Sequence, residues 1–220
     1  NVVQLTIGID FDGTPLGEFN GIYNGGGYTI SNININTTNT DQDGNVIAGE
    51  FTTGLFAAIG KNGEVKNVHV REAMYTVISE PLPDMFVITD RADNYVGGIA
   101  ARNKGMISNC SFQGTIEVGT YAADWMGTAV VGGIVGENFG VLENVVAVGK
   151  ISVYANTAYV GGIAGNHAYN YTEQIYVYSG GVRPQNPTTT TILNTNRIKN
   201  VLSFMEMSVT YNENSTGQAG

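Results

Sequence analysis

A single cysteine, Cys110, is all the thiol chemistry in this chain of 220 residues, so no disulfide can close within it. Beside Asn109, where the repeat calls for an inward position, that thiol reads as a small buried hydrophobe rather than a reactive group. Charge is also scarce: charged residues make up 13% of the chain, against roughly 25% in ordinary globular domains. The ten Lys and Arg are scattered and outnumbered by 19 Asp and Glu, giving a net charge of −9. Tracking phosphates needs clustered cations, so a nucleic-acid partner is excluded. No apolar run reaches the 18 or so residues of a membrane-spanning helix, so no transmembrane segment is expected. Neither His69 nor His167 has metalloprotease spacing, and no Ser/His/Asp order can be assigned. Glu64, Glu117, Glu137 and Glu143 fall at unlike places, so no catalytic residues are expected.

What is plentiful is glycine, 30 residues of it, together with asparagine and threonine, on a chain that is 42% hydrophobic. These residues are arranged as a repeated phrase. Tyr95-Val96-Gly97-Gly98-Ile99-Ala100 leads to Asn109-Cys110; Val130-Val131-Gly132-Gly133-Ile134-Val135 leads to Asn144-Val145, and Tyr159-Val160-Gly161-Gly162-Ile163-Ala164 begins it again. The first glycine and the closing asparagine are twelve residues apart in both complete copies, Gly97 to Asn109 and Gly132 to Asn144. A slightly longer version runs from Gly54 to Asn67, a divergent one covers Phe19 to Ile35, and the last resumes at Arg197-Ile198-Lys199-Asn200. Self-similarity on this scale is the signature of stacked coils.

Between the glycines lie short alternating stretches such as Val145-Val146-Ala147-Val148 and Lys150-Ile151-Ser152-Val153, and nothing of ten residues or more has helical spacing. Strands of four to six residues cannot bury an apolar face alone. Stacked on their copies at about 4.8 Å per coil, they pair every backbone group. The expected fold is all-β: one parallel β-helix, or β-solenoid, over 1–220, of about five to six coils. Hairpin-like insertions are expected near 37–52, 71–94, 119–129 and 167–197. Asn32, Asn67, Asn109, Asn144 and Asn200 are expected at equivalent corners, as a structural ladder. Asparagine tolerates the left-handed backbone of a sharp corner and can bond the matching amide one coil away.

The phrase Val-Gly-Gly-Ile-Ala/Val-Gly-x-Asn-x-Gly-x-Ile/Leu-x-Asn, with its opening Phe19-x-Gly21-x-Tyr23-Asn24-Gly25-x-Gly27-Tyr28-Thr29-Ile30-Ser31-Asn32, resembles the GLUG repeats of bacterial secreted and surface proteins. The resemblance covers about 15–70, 95–166 and 197–210. It implies a right-handed parallel β-helix, or β-solenoid, displayed outside the cell, often as one module of a longer adhesin-like protein, and it implies no catalytic residues. The long insertion after Asn166 and the segment 71–94 depart from the pattern, which makes them expected places for protein-specific surface.

Two segments look chemically equipped. Asn39-Thr40-Asp41-Gln42-Asp43-Gly44-Asn45-Val46-Ile47-Ala48-Gly49-Glu50 places oxygen ligands at Asn39, Asp41 and Asp43, glycine at the sixth position and Glu50 at the twelfth, as a calcium loop does. Its flanks read as strands and Asp43-Gly44 is a hairpin signal, so calcium competes with a plain β-hairpin. Tyr169, Tyr171, Tyr176 and Tyr178 crowd the last insertion, with Tyr121 and Trp125 in another. Flat rings carrying polar atoms suit a glycan or a protein surface, and equally suit masking a solenoid edge.

The functional expectation is therefore a non-enzymatic extracellular adhesion or binding module of the bacterial cell surface. Its partner would be a glycan or a host or bacterial surface protein, and no cofactor is expected beyond that calcium. A start at Asn1 suggests removal of a leader, so a lipid anchor or a larger parent protein belongs to the same expectation. The rivals are a carbohydrate-active enzyme of the lyase or hydrolase kind and a purely structural spacer.

Overall fold

The computed structural model describes residues 18–80, 92–120, 127–168, 170–175, 188–193 and 197–211. Among them there is no helix; strands follow one another and wind into stacked coils. The first coil holds β1 (Ile22–Asn24), β2 (Thr29–Ser31), β3 (Asn34–Thr38), β4 (Gly49–Thr53) and β5 (Phe56–Ile59). The second holds β6 (Glu64–Lys66), β7 (His69–Ser79), β8 (Ala92–Gly97) and β9 (Ala100–Asn103). The third holds β10 (Met106–Thr120), β11 (Thr128–Gly132) and β12 (Val135–Asn138), and the fourth β13 (Val141–Tyr154), β14 (Thr157–Gly161) and β15 (Ala164–His167). An antiparallel hairpin of β16 (Asn170–Ile175) and β17 (Thr188–Leu193) follows, and β18 (Ile198–Thr210) lies on the fourth coil as the start of another.

Each strand pairs in parallel with its counterpart one coil away, so three sheets run the length of the stack. The first carries β1-β6-β10-β13-β18, with β7 also paired to β10, β2 and β3; the others run β14-β11-β8-β4 and β15-β12-β9-β5. This is a solenoid of parallel sheets. It has no closed barrel, and no helix among the described residues is long and apolar enough to cross a membrane.

The interior is built from rows that the register aligns. Val65, Ile107 and Leu142 stack on one another and are fully buried. Ile116 lies between Tyr75 and Ile151, and Val118 between Val77 and Val153. Burying each such aliphatic side chain contributes about 1.5–3 kcal/mol. Tyr75 is fully buried, and its hydroxyl donates to the Gly98 carbonyl at 3.0 Å. Burial raises its pKa, so the phenol stays protonated and keeps that bond. Cys110, 1% exposed, sits in the apolar interior with Val145 as its register partner, and burial pushes its thiol up to about 11.

The paired glycines are required where coils lie closest. A side chain at Gly98 would collide with the Phe112 ring and the Gly133 carbonyl, and one at Gly133 with the Gly162 carbonyl. Backbone is stacked on backbone there.

The strands are longer than expected, because the corner asparagines bend them without ending them. β10 and β13 run through Asn109 and Asn144, whose φ values are 51° and 55°, and resume pairing at Cys110 and Val145. Two insertions are correspondingly shorter than expected. Residues 71–79 belong to β7, and 119–120 and 128–129 to β10 and β11. Alternation in β7 is interrupted at Glu72, which takes φ 51° beside a register shift opposite Phe112 and Gly114.

Candidate functional site

The corner amides form a continuous chain of hydrogen bonds. Asn67 Nδ2 donates to Asn24 Oδ1 at 2.9 Å, Asn109 to Asn67 at 3.3 Å, Asn144 to Asn109 at 3.0 Å and Asn200 to Asn144 at 2.9 Å. The row begins with Asn24, which corrects the placement of Asn32. Asn32 is aligned instead with Glu72, since Ser31 pairs with Arg71 and Asn34 with Met74, and its left-handed φ of 60° matches the bulge there.

A second amide row lies inside and was missed in the sequence. Asn103 and Asn138 are fully buried, and Asn103 Nδ2 donates to Asn138 Oδ1 at 2.8 Å. Asn138 Nδ2 lies 3.0 Å from the Gly140 carbonyl and 3.0 Å from His167 Nδ1. Each buried Oδ1 also accepts the backbone N–H two residues on, Gly105 at 3.0 Å and Gly140 at 3.4 Å. The legible signal was Asn-x-Gly, a side chain closing its own turn. Both rows are scaffold: their polar atoms are spent on neighbouring coils.

The calcium-like segment folds as a hairpin-like loop. Thr40 bridges Val46 antiparallel. Asp41 Oδ1 accepts the N–H groups of Asp43 and Asn45 at 2.9 and 2.8 Å, and Oδ2 accepts Asn45 Nδ2 at 3.0 Å. The Asn45 side-chain bond is the main cause of a lowered Asp41 pKa. Asn39 faces the other way, buried, exchanging bonds with the Glu80 backbone at 3.0 and 2.7 Å. Glu50 Oε2 pairs with Arg102 at 2.7 Å. Asp43 is exposed. The four expected ligands thus point at different partners, and no group of three or more His, Cys, Asp or Glu side chains able to hold a metal occurs among the described residues.

Arg102 anchors an outer cluster at the junction of two sheets. Its guanidinium stacks 3.7 Å over the Tyr95 ring, and its Nε approaches Glu137 Oε2 to 3.1 Å, an ion pair outside hydrogen-bond angles. Burial, the largest single influence, would lower the Arg102 pKa, but the Glu50 hydrogen bond and the charges of Glu50, Tyr95 and Glu137 together outweigh it and the net shift is upward. Burial raises the Glu137 pKa, with Arg102 opposing. The cluster reads as a tie between coils, in which one guanidinium holds two carboxylates.

The open feature is a shallow trough of about 290 Å³ across the outer side of the long strands. Its floor is a row of outward residues, Thr76, Glu117, Ser152 and Ser208, aligned from β7 to β18 and continued by Asn36 on β3. A parallel row two residues on has Ile78, Gly119, Tyr154 and Thr210. Ser208 and Ser152 hydroxyls are joined at 3.2 Å, while Glu117 is exposed and has no ion pair among the described residues.

Of the expected aromatic contacts, Tyr171 lies on β16, opposite Ile192; Tyr121, Trp125, Tyr169, Tyr176 and Tyr178 lie outside the described residues.

Compared with known families, residues 92–117 match the family model of the GLUG motif. The chain contains a GLUG motif. No curated protein and no solved structure matches the chain significantly. In the structure the GLUG segment is β8, the Gly97-Gly98 turn, β9 and β10 as far as Glu117. It therefore contains an inner amide, Asn103, an outer one, Asn109, and the buried Cys110 between them and the core. Its final residue is the carboxylate at the centre of the trough.

Proposed function

We propose that this chain is a non-enzymatic, extracellular binding module of a bacterial surface protein, engaging a glycan or a surface protein through the outer face of its long strands. The observation that carries this reading is the trough: outward hydroxyls and one carboxylate aligned across successive coils. The GLUG motif supports the surface setting, through the resemblance to secreted and surface proteins.

The non-enzymatic part is supported by the carboxylates. Register places Glu117 between Thr76 and Ser152, Glu143 between Ser108 and Lys199, and Glu137 between Arg102 and Asn166. Glu64 is aligned with Ile22 and Met106. A hydrolase of the usual kind needs two carboxyl groups flanking one bond, roughly 5–10 Å apart. Each of these four is aligned with neutral or basic neighbours, and where Glu50 and Glu137 converge, both are held in ion pairs by Arg102.

The test is direct binding by the whole chain, immobilised and offered a glycan library and a panel of surface proteins. Retention of a ligand that a trough variant, Ser152→Tyr, fails to retain is the expected result. Retention of nothing overturns the reading and leaves a spacer.

A further inference from the structure

We propose that the long sheet docks end to end on that of a second copy of this chain, the free edge of β18 receiving β1, β2 and β3 of the next molecule, so that copies stack head to tail.

Both edges are open. Among the described residues β18 pairs only with β13, and β1, β2 and β3 only with β6 and β7. The core rows stop at these strands without a cover. Met207 continues the inward row of the fully buried Ile151, yet it is 50% exposed. At the other end Ile30 lies on Val70 and Ile35 on Tyr75, and the outer member of each pair is only partly buried while the inner one is fully so. Folded sheets normally blunt such edges with charge or proline. β1, β2 and β3 contain neither, and β18 has no proline and two charged residues, Lys199 and Glu206.

The corner amides select the partner. Every rung of the outer row runs the same way, each coil donating to the coil before it. Asn24 ends the row with Oδ1 taken, by Asn67 Nδ2 at 2.9 Å and the Gly26 N–H at 3.0 Å, and with Nδ2 unused among the described residues. Asn200 ends it with Nδ2 spent on Asn144 and Oδ1 unused among the described residues. One end offers a donor and the other an acceptor. A second copy in the same orientation joins them, its Asn24 Nδ2 donating to Asn200 Oδ1 as Asn200 itself donates to Asn144. A strand of another protein could extend the backbone ladder, but nothing in the fold supplies it with that amide.

The register carries through the junction. Following the pairs coil by coil places Asn24 over Lys199, Asn34 over Glu206 and Ile35 over Met207. Aliphatic meets aliphatic on the inward side, and no charge meets its like. Thr29 falls over Leu202, so the incoming strands carry one residue more than β18 before Asn34, the same surplus that β7 already has against β10. Because the two edges differ, the contact is heterologous and does not close at two copies.

The experiment is sedimentation velocity of the whole chain over a series from micromolar to millimolar concentration. Asn24→Asp keeps the Oδ1 that Asn67 and Gly26 use and turns the free donor into an acceptor facing Asn200 Oδ1. Asn34→Glu and Asn34→Lys set a like or an opposite charge over Glu206; within its own chain Asn34 is exposed and aligned with Met74. The expected result is a mass that rises with concentration past the dimer, with association weakened about tenfold in Asn24→Asp and several-fold in Asn34→Glu, and strengthened in Asn34→Lys. Melting curves that match the parent's separate loss of association from loss of fold, and should Asn24→Asp fail to fold, the two Asn34 variants decide. A mass fixed at the monomer throughout, association that stops at a dimer, or association that the folded variants leave unchanged overturns the proposal.

Discussion

Replacing Asn138 by alanine strikes the inner amide row at its middle. The side chain is fully buried; it accepts from Asn103 at 2.8 Å and donates to the Gly140 carbonyl at 3.0 Å. Its loss leaves the Gly140 carbonyl and N–H without these bonds at a buried corner, while Asn103 Nδ2 keeps only a 3.5 Å approach to the Val141 carbonyl. Each stranded buried group costs about 1–3 kcal/mol, so the variant loses about 3–5 kcal/mol. The outer row supplies the control. Asn144→Gly deletes two amide bonds, of 3.0 and 2.9 Å, but at an exposed corner where water replaces them and where glycine adopts φ 55° freely. That variant loses about 1 kcal/mol. Urea unfolding followed by far-UV circular dichroism reads both, as midpoint shifts at unchanged slope. A loss in Asn138→Ala no larger than in Asn144→Gly refutes the argument that the buried row, rather than the visible outer one, sets the coil corner.

Cys110 gives a pH signature. Its folded pKa of about 11 lies above the ordinary 9.0, so its contribution is fully present below pH 9 and is lost as pH rises toward 11, on the order of 2–3 kcal/mol. The slope of stability against pH over that window flattens in Cys110→Val, valine being what Val145 places on the same row; an unchanged slope contradicts the assignment. In the native state the thiol is expected not to react with an aromatic disulfide reagent at pH 8, and rapid labelling without denaturant contradicts its burial. Gly133→Ala is expected to cost 3 kcal/mol or more by collision with the Gly162 carbonyl, whereas Gly27→Ala, with nothing within 4 Å of the new methyl but φ 78°, costs about 1 kcal/mol. Equal melting temperatures for the two variants would sink the close-stacking argument. Calcium or a chelator is expected to leave the melting temperature unchanged, because Asp41, Asn39 and Glu50 are engaged by Asn45, Glu80 and Arg102; an upward shift with calcium shows that the loop collects them.

The stacking was legible because it imposes identity. Only glycine fits where Gly98 passes Gly133, and asparagine satisfies a left-handed corner at 67, 109, 144 and 200, so the same letters recur in each copy. Asn24 and Asn32 show where that reasoning stops. Both lie in the divergent first copy, and only the register tells that the bulge, not the corner, takes Asn32. The segment 71–79 was misjudged for a related reason: one extra residue at Glu72 shifts the alternation, and a period-two pattern read across it looks like noise. The trough left only a faint trace in the sequence. Its floor residues Glu117, Ser152 and Ser208 each lie eight residues after a corner asparagine, and Thr76 nine after Asn67 across the bulge, but they form no common motif. A scaffold conserves what stacking needs, and a binding face is free to differ at each coil.

The central claim is that the outer face of β7, β10, β13 and β18 is where this module meets its ligand. Chemical-shift mapping of the isotope-labelled chain, titrated with the glycan or surface protein it retains, tests that claim most directly. The account predicts that shifts concentrate on Thr76, Glu117, Gly119, Ser152 and Tyr154. Shifts confined to 169–196, with these five residues unmoved, would contradict it.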